Sequence, residues 1–274
     1  MRTMQRARVN GVEIEYEVTG AGEPVLLISP VVADGFLPLV GQRALASRHQ
    51  MITYHKRGWV GSTQGTPAAT IADHAMDAAA LLDDLGVRRA HVAGHSSGAA
   101  VAMQLAVERP EVVHTLALLE PSVLSVPSAA AFLAKAGPAF AAYAAGQHET
   151  ALAAFMTAAS GLEWDACRAA LDEHVPGAIA QGIKDADTFF GVELPALGAW
   201  TFGAAQAAAI SQPVLSILGS DTEPLWIEVA DRLRAWFPRV EDCTIEGVGH
   251  LLHMQRPEPV ASCMAAFFRR HPLN

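Results

Sequence analysis

The chain has 274 residues, 51% of them hydrophobic and 17% charged, and a net charge of −9. That size and composition fit one large domain, or a core with an inserted subdomain, and exclude a disordered chain. The acidic balance is spread along the sequence and argues against nucleic acid or an anionic membrane surface as partner.

The first residues, Met1-Arg2-Thr3-Met4-Gln5-Arg6, show no apolar signal core, and no run of about 18 uninterrupted apolar residues follows. Three cysteines, Cys167, Cys243 and Cys263, form an odd set without a Cys-rich framework. The expectation is three free thiols, no structural disulfide, and a cytoplasmic protein.

In chain order, the first elements read as a hairpin. Val9 precedes Asn10-Gly11, and then Val12, Ile14, Tyr16 and Val18 alternate with Glu13, Glu15 and Glu17. Asn-Gly supplies the positive φ angles of a two-residue turn, and the period of two predicts a half-exposed strand. Apolar runs at Pro24–Ile28, Met51–Tyr54, His91–Ala93, Val113–Leu119 and Val214–Leu218 suit parallel strands covered on both faces. Helical spacing runs from Ile71 to Leu85, closed by Gly86, and from Ser97 to Glu108, closed by Arg109-Pro110. This alternation predicts a mostly parallel, doubly wound sheet.

From Ser122 to Ile210 the rhythm changes. The stretch is Ala-rich, shows no convincing buried strand, and scatters aromatics such as Phe132, Phe155, Trp164, Phe190 and Trp200. Aromatic side chains need apolar surface to cover, so residues 122–210 are expected to form a helical cap over the sheet. The core is then residues 1–121 and 211–274, with the cap inserted after the sixth strand. Helix Trp226–Trp236, strand Glu241–Ile245 and helix Pro257–Arg270 complete it.

The most informative stretch is Gly94-His95-Ser96-Ser97-Gly98, a G-x-S-x-G pattern between an apolar strand and an amphipathic helix. This is the setting of a strand-to-helix elbow that holds a serine hydroxyl at its tip, here Ser96. The helix amino terminus favours negative charge there, and the Ser97 backbone N–H is a candidate oxyanion donor. A serine hydroxyl needs a base. Of eleven histidines, His250 stands out, in Gly247-Val248-Gly249-His250 between the last strand and the last helix. That loop lies at the carboxyl edge of the sheet, as does Ser96. His253 competes and is expected to line the pocket; His95 either lines the pocket or is simply packed.

The order of serine elbow, helical insertion and Gly-x-Gly-His before a final helix resembles the α/β-hydrolase superfamily through nearly the whole chain. His55-Lys56-Arg57-Gly58-Trp59-Val60-Gly61-Ser62 resembles the superfamily's D-x-R-G-x-G-x-S loop, with His55 replacing the Asp and Val60 the second Gly. The resemblance implies an α/β-hydrolase fold and a triad acid for the imidazole. The commoner position falls in Gly219-Ser220-Asp221-Thr222, where a G-x-x-D pattern would put the acid at Thr222 and Asp221 comes one residue early. The other position is Glu120, which ends the run Leu118-Leu119. Zearalenone-lactone hydrolases, which this chain resembles in its Ser-Ser-Gly-Ala elbow, carry their acid there, 24 residues after the nucleophile as here. Glu120 is therefore favoured and Asp221 is the alternative. The loop Ser29-Pro30-Val31-Val32-Ala33-Asp34-Gly35 stands where the superfamily has its second oxyanion donor. Val31 aligns with that donor, with Val32 as the alternative, and Pro30 has no N–H to offer.

A serine at the elbow implies acyl transfer, which excludes the carboxylate-dependent epoxide hydrolases and dehalogenases of this fold. No phosphate cradle or metal-ligand pattern is evident, so no cofactor and no metal is expected. Val32, Met103, Met156, Trp164, Phe190 and Trp226 suggest an apolar pocket, hence an apolar ester or lactone as substrate. A carbon–carbon bond hydrolase, a perhydrolase and a non-catalytic small-molecule binding protein are the rivals. A homodimer is compatible with the sequence.

Overall fold

The computed structural model describes residues 3–64 and 68–273; Met1 and Arg2, part of the leader reading, lie outside them. Among the described residues, eight strands form one sheet: β1 (Gln5–Val9), β2 (Val12–Gly20), β3 (Glu23–Ile28), β4 (His49–Tyr54), β5 (Ala90–His95), β6 (Val113–Leu119), β7 (Val214–Gly219) and β8 (Glu241–Ile245). Their order is β1-β2-β4-β3-β5-β6-β7-β8. The hairpin β1–β2 and the β2–β4 pair are antiparallel, and every pairing from β4 to β8 is parallel. At the first turn Asn10 and Gly11 have φ of 47° and 79°, the pair of positive angles that Asn-Gly favours.

Alternation along the strands divides the core in two. Leu26, Ile28, Val92, Leu116 and Leu118 face helices Ile71–Asp84 and Ser97–Glu108. Val25, Leu27, Ala93, Ala117 and Leu119 face the final helix Pro257–Arg270 and the short helices Leu37–Val40 and Arg43–Ala46. Those two single-turn helices have no counterpart in the sequence reading, because four residues are too few to show a 3.6-residue period. Helix Ile71–Asp84 begins at a reciprocal cap: Thr70 Oγ1 accepts from Asp73 N–H, and Asp73 Oδ2 accepts from Thr70 N–H.

Between β6 and β7 the described chain is helical. Helices His148–Ser160 and Trp164–His174 and a π-helical turn, Phe189–Glu193, belong to a third apolar cluster. That cluster also takes in Val31, Val32, Trp59, Leu251 and Met254 from loops of the core, so the insertion sits over the carboxyl ends of the strands.

One expectation is corrected. Cys243 on β8 and Cys263 on the final helix form a disulfide, with Cα atoms 6.5 Å apart; Cys167 alone is free, and buried. The helix packs beside β8 and brings the two cysteines together, which their separation of 20 residues does not reveal. The pairing removes the support that the cysteine count lent to a reducing compartment. No helix among the described residues is long and apolar enough to cross a membrane.

The elbow glycines are fixed by close approach. A Cβ on Gly98 would lie 2.0 Å from the Ile28 carbonyl oxygen, and one on Gly94 would lie 2.4 Å from the Gly98 carbonyl oxygen. Gly86 differs: its φ is 68°, but a Cβ there would meet nothing within 4 Å. Gly98→Ala is therefore expected to destabilise by about 2–3 kcal/mol through backbone displacement. Gly86→Ala should cost only about 1 kcal/mol, from its left-handed backbone. Urea unfolding of the two variants beside the parent checks the order.

Candidate active site

Ser96 joins β5 to the helix Ser97–Glu108 at φ 54° and ψ −119°, a strained conformation for a non-glycine residue. The surrounding backbone holds it there. Ser96 N–H donates to the Leu119 carbonyl (3.0 Å), and the Ser96 carbonyl accepts from Ser122 N–H (3.1 Å). Strain kept by such bonds exposes the hydroxyl at the carboxyl edge of the sheet, where it lines two narrow clefts under the insertion.

Glu120 follows β6 directly, also at positive φ (41°), and its side chain is fully buried. Three donors surround its carboxylate. Gly219 N–H reaches Oε1 at 2.9 Å, Thr222 Oγ1 reaches Oε2 at 3.0 Å, and His250 Nδ1 reaches Oε2 at 2.7 Å. A carboxylate only accepts, so His250 carries its proton on Nδ1 and leaves Nε2 free to accept one. Thr222, at the position of the commoner acid, turns its hydroxyl to Glu120 instead. Asp221 is exposed and accepts from its neighbour Ser220 Oγ at 2.7 Å. Of the two candidate acids, the structure brings Glu120 and not Asp221 to the imidazole.

The indole of Trp226 lies parallel to the His250 ring, with centroids 3.8 Å apart and an interplanar angle of 6°. Its Nε1–H is spent on the Ala159 carbonyl of the insertion (3.1 Å), so its face is presented to the imidazole. His95 lies 4.5 Å from His250 and 4.2 Å from His253, centroid to centroid. Both rings line the cleft at Ser96, and among the described residues all four of their nitrogens are buried without a hydrogen-bond partner of normal geometry. Burial, reinforced by His250, pushes His253 down to about 3. Burial, reinforced by its histidine neighbours, holds His95 well below the ordinary range.

Val31 and Ser97 both line the second cleft beside Ser96. Neither backbone N–H has a hydrogen-bond acceptor among the described residues. Val32 lines the first cleft together with Met156. His55, which replaces the usual Asp, bridges Glu15 (2.9 Å) and Asp34 (3.2 Å) and so ties the Val31 loop to β2. Val60, in place of glycine, keeps a glycine-like φ of 49°.

Other expected pocket residues lie elsewhere. Trp164 sits in a separate groove with Lys135 and Pro138 on the insertion, because its helix turns it outward. Phe190 packs behind Phe155 and Phe189 and stacks on Tyr143, so it supports the cleft wall without lining it. Met103 is a core residue on the sheet-facing side of the elbow helix. The sequence could place aromatics in the insertion but not orient them.

Sequence reasoning also missed two groups. Ser122 Oγ lies 3.0 Å from Ser96 Oγ, and it is this hydroxyl, not His250, that Ser96 meets in the free chain. Glu193, from the π-helical turn, accepts from Ser97 Oγ and from Lys56 Nζ (2.6 Å), all three groups being buried. The usable signals were Lys56 inside the recognised loop motif and the i, i+1 pair Ser96-Ser97; nothing marked Glu193.

The family model described as the alpha/beta hydrolase fold matches residues 33–257, and the chain belongs to that family. A curated relative, RutD of Azorhizobium caulinodans, proposed to be a carbamate hydrolase, is 36% identical over 116 residues. That match covers 42% of this chain and 44% of the relative, so the chain spans less than half the length of that relative in alignment. Among solved structures, a thermophilic esterase from Thermogutta terrifontis superimposes with a TM-score of 0.78 at 20% identity, covering 98% of this chain and all of that one. Est816, described as an N-acyl homoserine lactone degrading enzyme, gives 0.73 at 23% identity, covering 96% and 100%. Both likenesses establish the fold.

Buried neutral histidines set an acid limit. His74, packed by burial and by Lys56, is pushed down to about 4, and His253 to about 3, from an ordinary 6.5. Below pH 6.5 the unfolded chain binds protons that the folded chain refuses, so stability present above that pH is lost as pH falls toward 4. His55 acts oppositely: burial lowers it, but Asp34 and Glu15 outweigh burial and raise it, so its contribution is complete below 6.5 and fades at higher pH. Urea unfolding from pH 7 to 4 should show stability falling by about 1.4 kcal/mol per pH unit for each proton taken up. His74→Phe should flatten that slope; an unchanged slope contradicts the assignment.

Proposed function

We propose that the protein is a serine hydrolase that cleaves a carboxylic ester or lactone of an apolar small molecule through an acyl-enzyme. The observation that carries this reading is the buried Glu120 carboxylate, 2.7 Å from His250 Nδ1, with His250 lining the same cleft as the strained Ser96. Ser96 Oγ turns from Ser122 toward His250 Nε2 and attacks the substrate carbonyl carbon as the imidazole takes its proton. Catalytic hydrogen bonds are often unformed in a free enzyme and close with substrate.

Negative charge then gathers on the carbonyl oxygen, where Val31 and Ser97 have N–H groups to spare. Each such donor contributes about 3–4 kcal/mol to transition-state stabilisation. Glu120 holds the imidazole tautomer and stabilises the imidazolium. The Trp226 face adds about 1–2 kcal/mol by cation–π attraction in a desolvated site. His250 returns its proton to the leaving alkoxide, and water repeats the sequence on the acyl-enzyme to free the acid.

The clefts favour an apolar substrate: Val31, Phe155, Met156, Ala159, Phe189 and Trp226 are among their walls. A carbon–carbon bond hydrolase of a diketone acid would want cationic groups for the substrate carboxylate, and no Lys or Arg lines either cleft among the described residues. Because Lys56 is engaged by Glu193 behind Ser97, it does not supply one.

Hydrolysis of p-nitrophenyl butyrate tests the reading. Ser96→Ala should lose activity by at least about 10³-fold. Glu120→Gln should lower kcat by about 10³–10⁴-fold, because the imidazole loses its orienting charge. Asp221→Asn should stay within about twofold of the parent, as expected of an exposed surface change. Full activity in Glu120→Gln, with loss in Asp221→Asn, would transfer the acid role; activity surviving Ser96→Ala would end the proposal.

A further inference from the structure

At the opposite edge of the sheet from Ser96, three side chains converge whose chemistry the hydrolase reading does not use. Glu23 opens β3, His49 opens β4, and His91 is the second residue of β5. Register places them side by side: Glu23 pairs with His49 across β3–β4, and Val25, two residues on from Glu23, pairs with His91 across β3–β5. One donor atom from each lies within 4.8 Å of the others. The imidazoles are buried, whereas the Glu23 side chain is about one-third exposed (32%), which leaves an approach from solvent.

We propose that Glu23, His49 and His91 form a binding site for a divalent transition-metal cation of the zinc type, with water as a further ligand. The donor set is two imidazole nitrogens and one carboxylate oxygen, a combination that zinc accepts in tetrahedral geometry with water in the fourth position. Outer hydrogen bonds already orient both rings. His49 Nδ1 lies 2.9 Å from the Leu45 carbonyl, which can only accept, so the proton is on Nδ1 and the lone pair on Nε2. A histidine ligand held by a backbone carbonyl through its other nitrogen is the arrangement metal sites favour.

His91 is one proton shift from the same state. Its Nε2 donates to Glu23 Oε2 (3.1 Å) and its Nδ1 lies 2.8 Å from Thr115 Oγ1. A hydroxyl both donates and accepts, so Thr115 can serve either tautomer. When the cation takes the place of the Nε2 proton, the proton moves to Nδ1 and bonds Thr115 Oγ1. The Glu23 carboxylate is released from the imidazole and binds the cation. No net proton is lost from His91, and the charge on Glu23 is balanced by the ion.

The three ligands come from three adjacent strands, so the ion would staple the amino-terminal edge of the sheet and take no part in chemistry at Ser96. Its binding is expected to raise the melting temperature, since a ligand held only by the folded state stabilises it.

The test uses the full chain without an affinity tag, stripped with EDTA, loaded with Zn²⁺ and desalted. Metal analysis should find one equivalent of zinc per chain, and Co²⁺ should give the visible absorption of a tetrahedral site. Glu23→Gln, which keeps a side-chain oxygen to accept from His91 Nε2, and His49→Gln should each weaken binding by tenfold or more. The zinc-dependent rise in melting temperature should vanish in Glu23→Gln. Failure of the parent chain to retain zinc overturns the proposal. So does retention undiminished in both variants, which would place the ion elsewhere.

Discussion

The buried carboxylate of Glu120 is the constraint on which the rest of the site depends. A charge taken out of water at the end of β6 is tolerable only if its lone pairs are filled. Here a backbone N–H from Gly219, a hydroxyl from Thr222 and an imidazole from His250 fill them. Those donors come from the end of β7, the loop that follows it, and the loop after β8, so one carboxylate ties a strand end and two loops together at the same sheet edge. The positive φ of Glu120, like that of Ser96 on the neighbouring strand, is strain held by this surrounding network.

A buried ion pair ties the helical insertion to the elbow. Lys56 and Glu193 lie far apart in the chain yet meet in the interior, and the free oxygen of Glu193 takes the Ser97 hydroxyl. Removing either partner would leave an uncompensated buried charge, at a cost of about 3–5 kcal/mol. Trp226 makes a parallel link, joining the insertion through Ala159 while its face covers His250. The insertion therefore positions parts of the elbow and the base, besides roofing the clefts.

Most of the fold was legible in the sequence because period and punctuation agree there. The alternation of β2, the continuous apolar runs of β3 to β7 and the Gly86 stop each have a local physical cause, and the structure follows them within a residue or two. The G-x-S-x-G pattern was legible for the same reason: Gly94 and Gly98 answer to contacts within the elbow and with β3. The choice between Glu120 and Asp221 was not decided by local pattern; it turns on a contact across 130 residues. Glu193, Ser122 and the Cys243–Cys263 pair were hidden for the same reason, each depending on tertiary proximity alone. Trp164 and Phe190 show the converse limit: composition announces aromatics in an Ala-rich insertion, but which face each one takes depends on packing between short helices.

The central claim is that Ser96 is an activated nucleophile, and covalent capture tests it most directly. A fluorophosphonate should react as Ser96 Oγ bonds to phosphorus and fluoride departs. Intact-mass measurement should then show one adduct per chain, and peptide mapping should place it on Ser96. No adduct under conditions that label a known serine esterase alongside, or an adduct on another residue, would contradict the account.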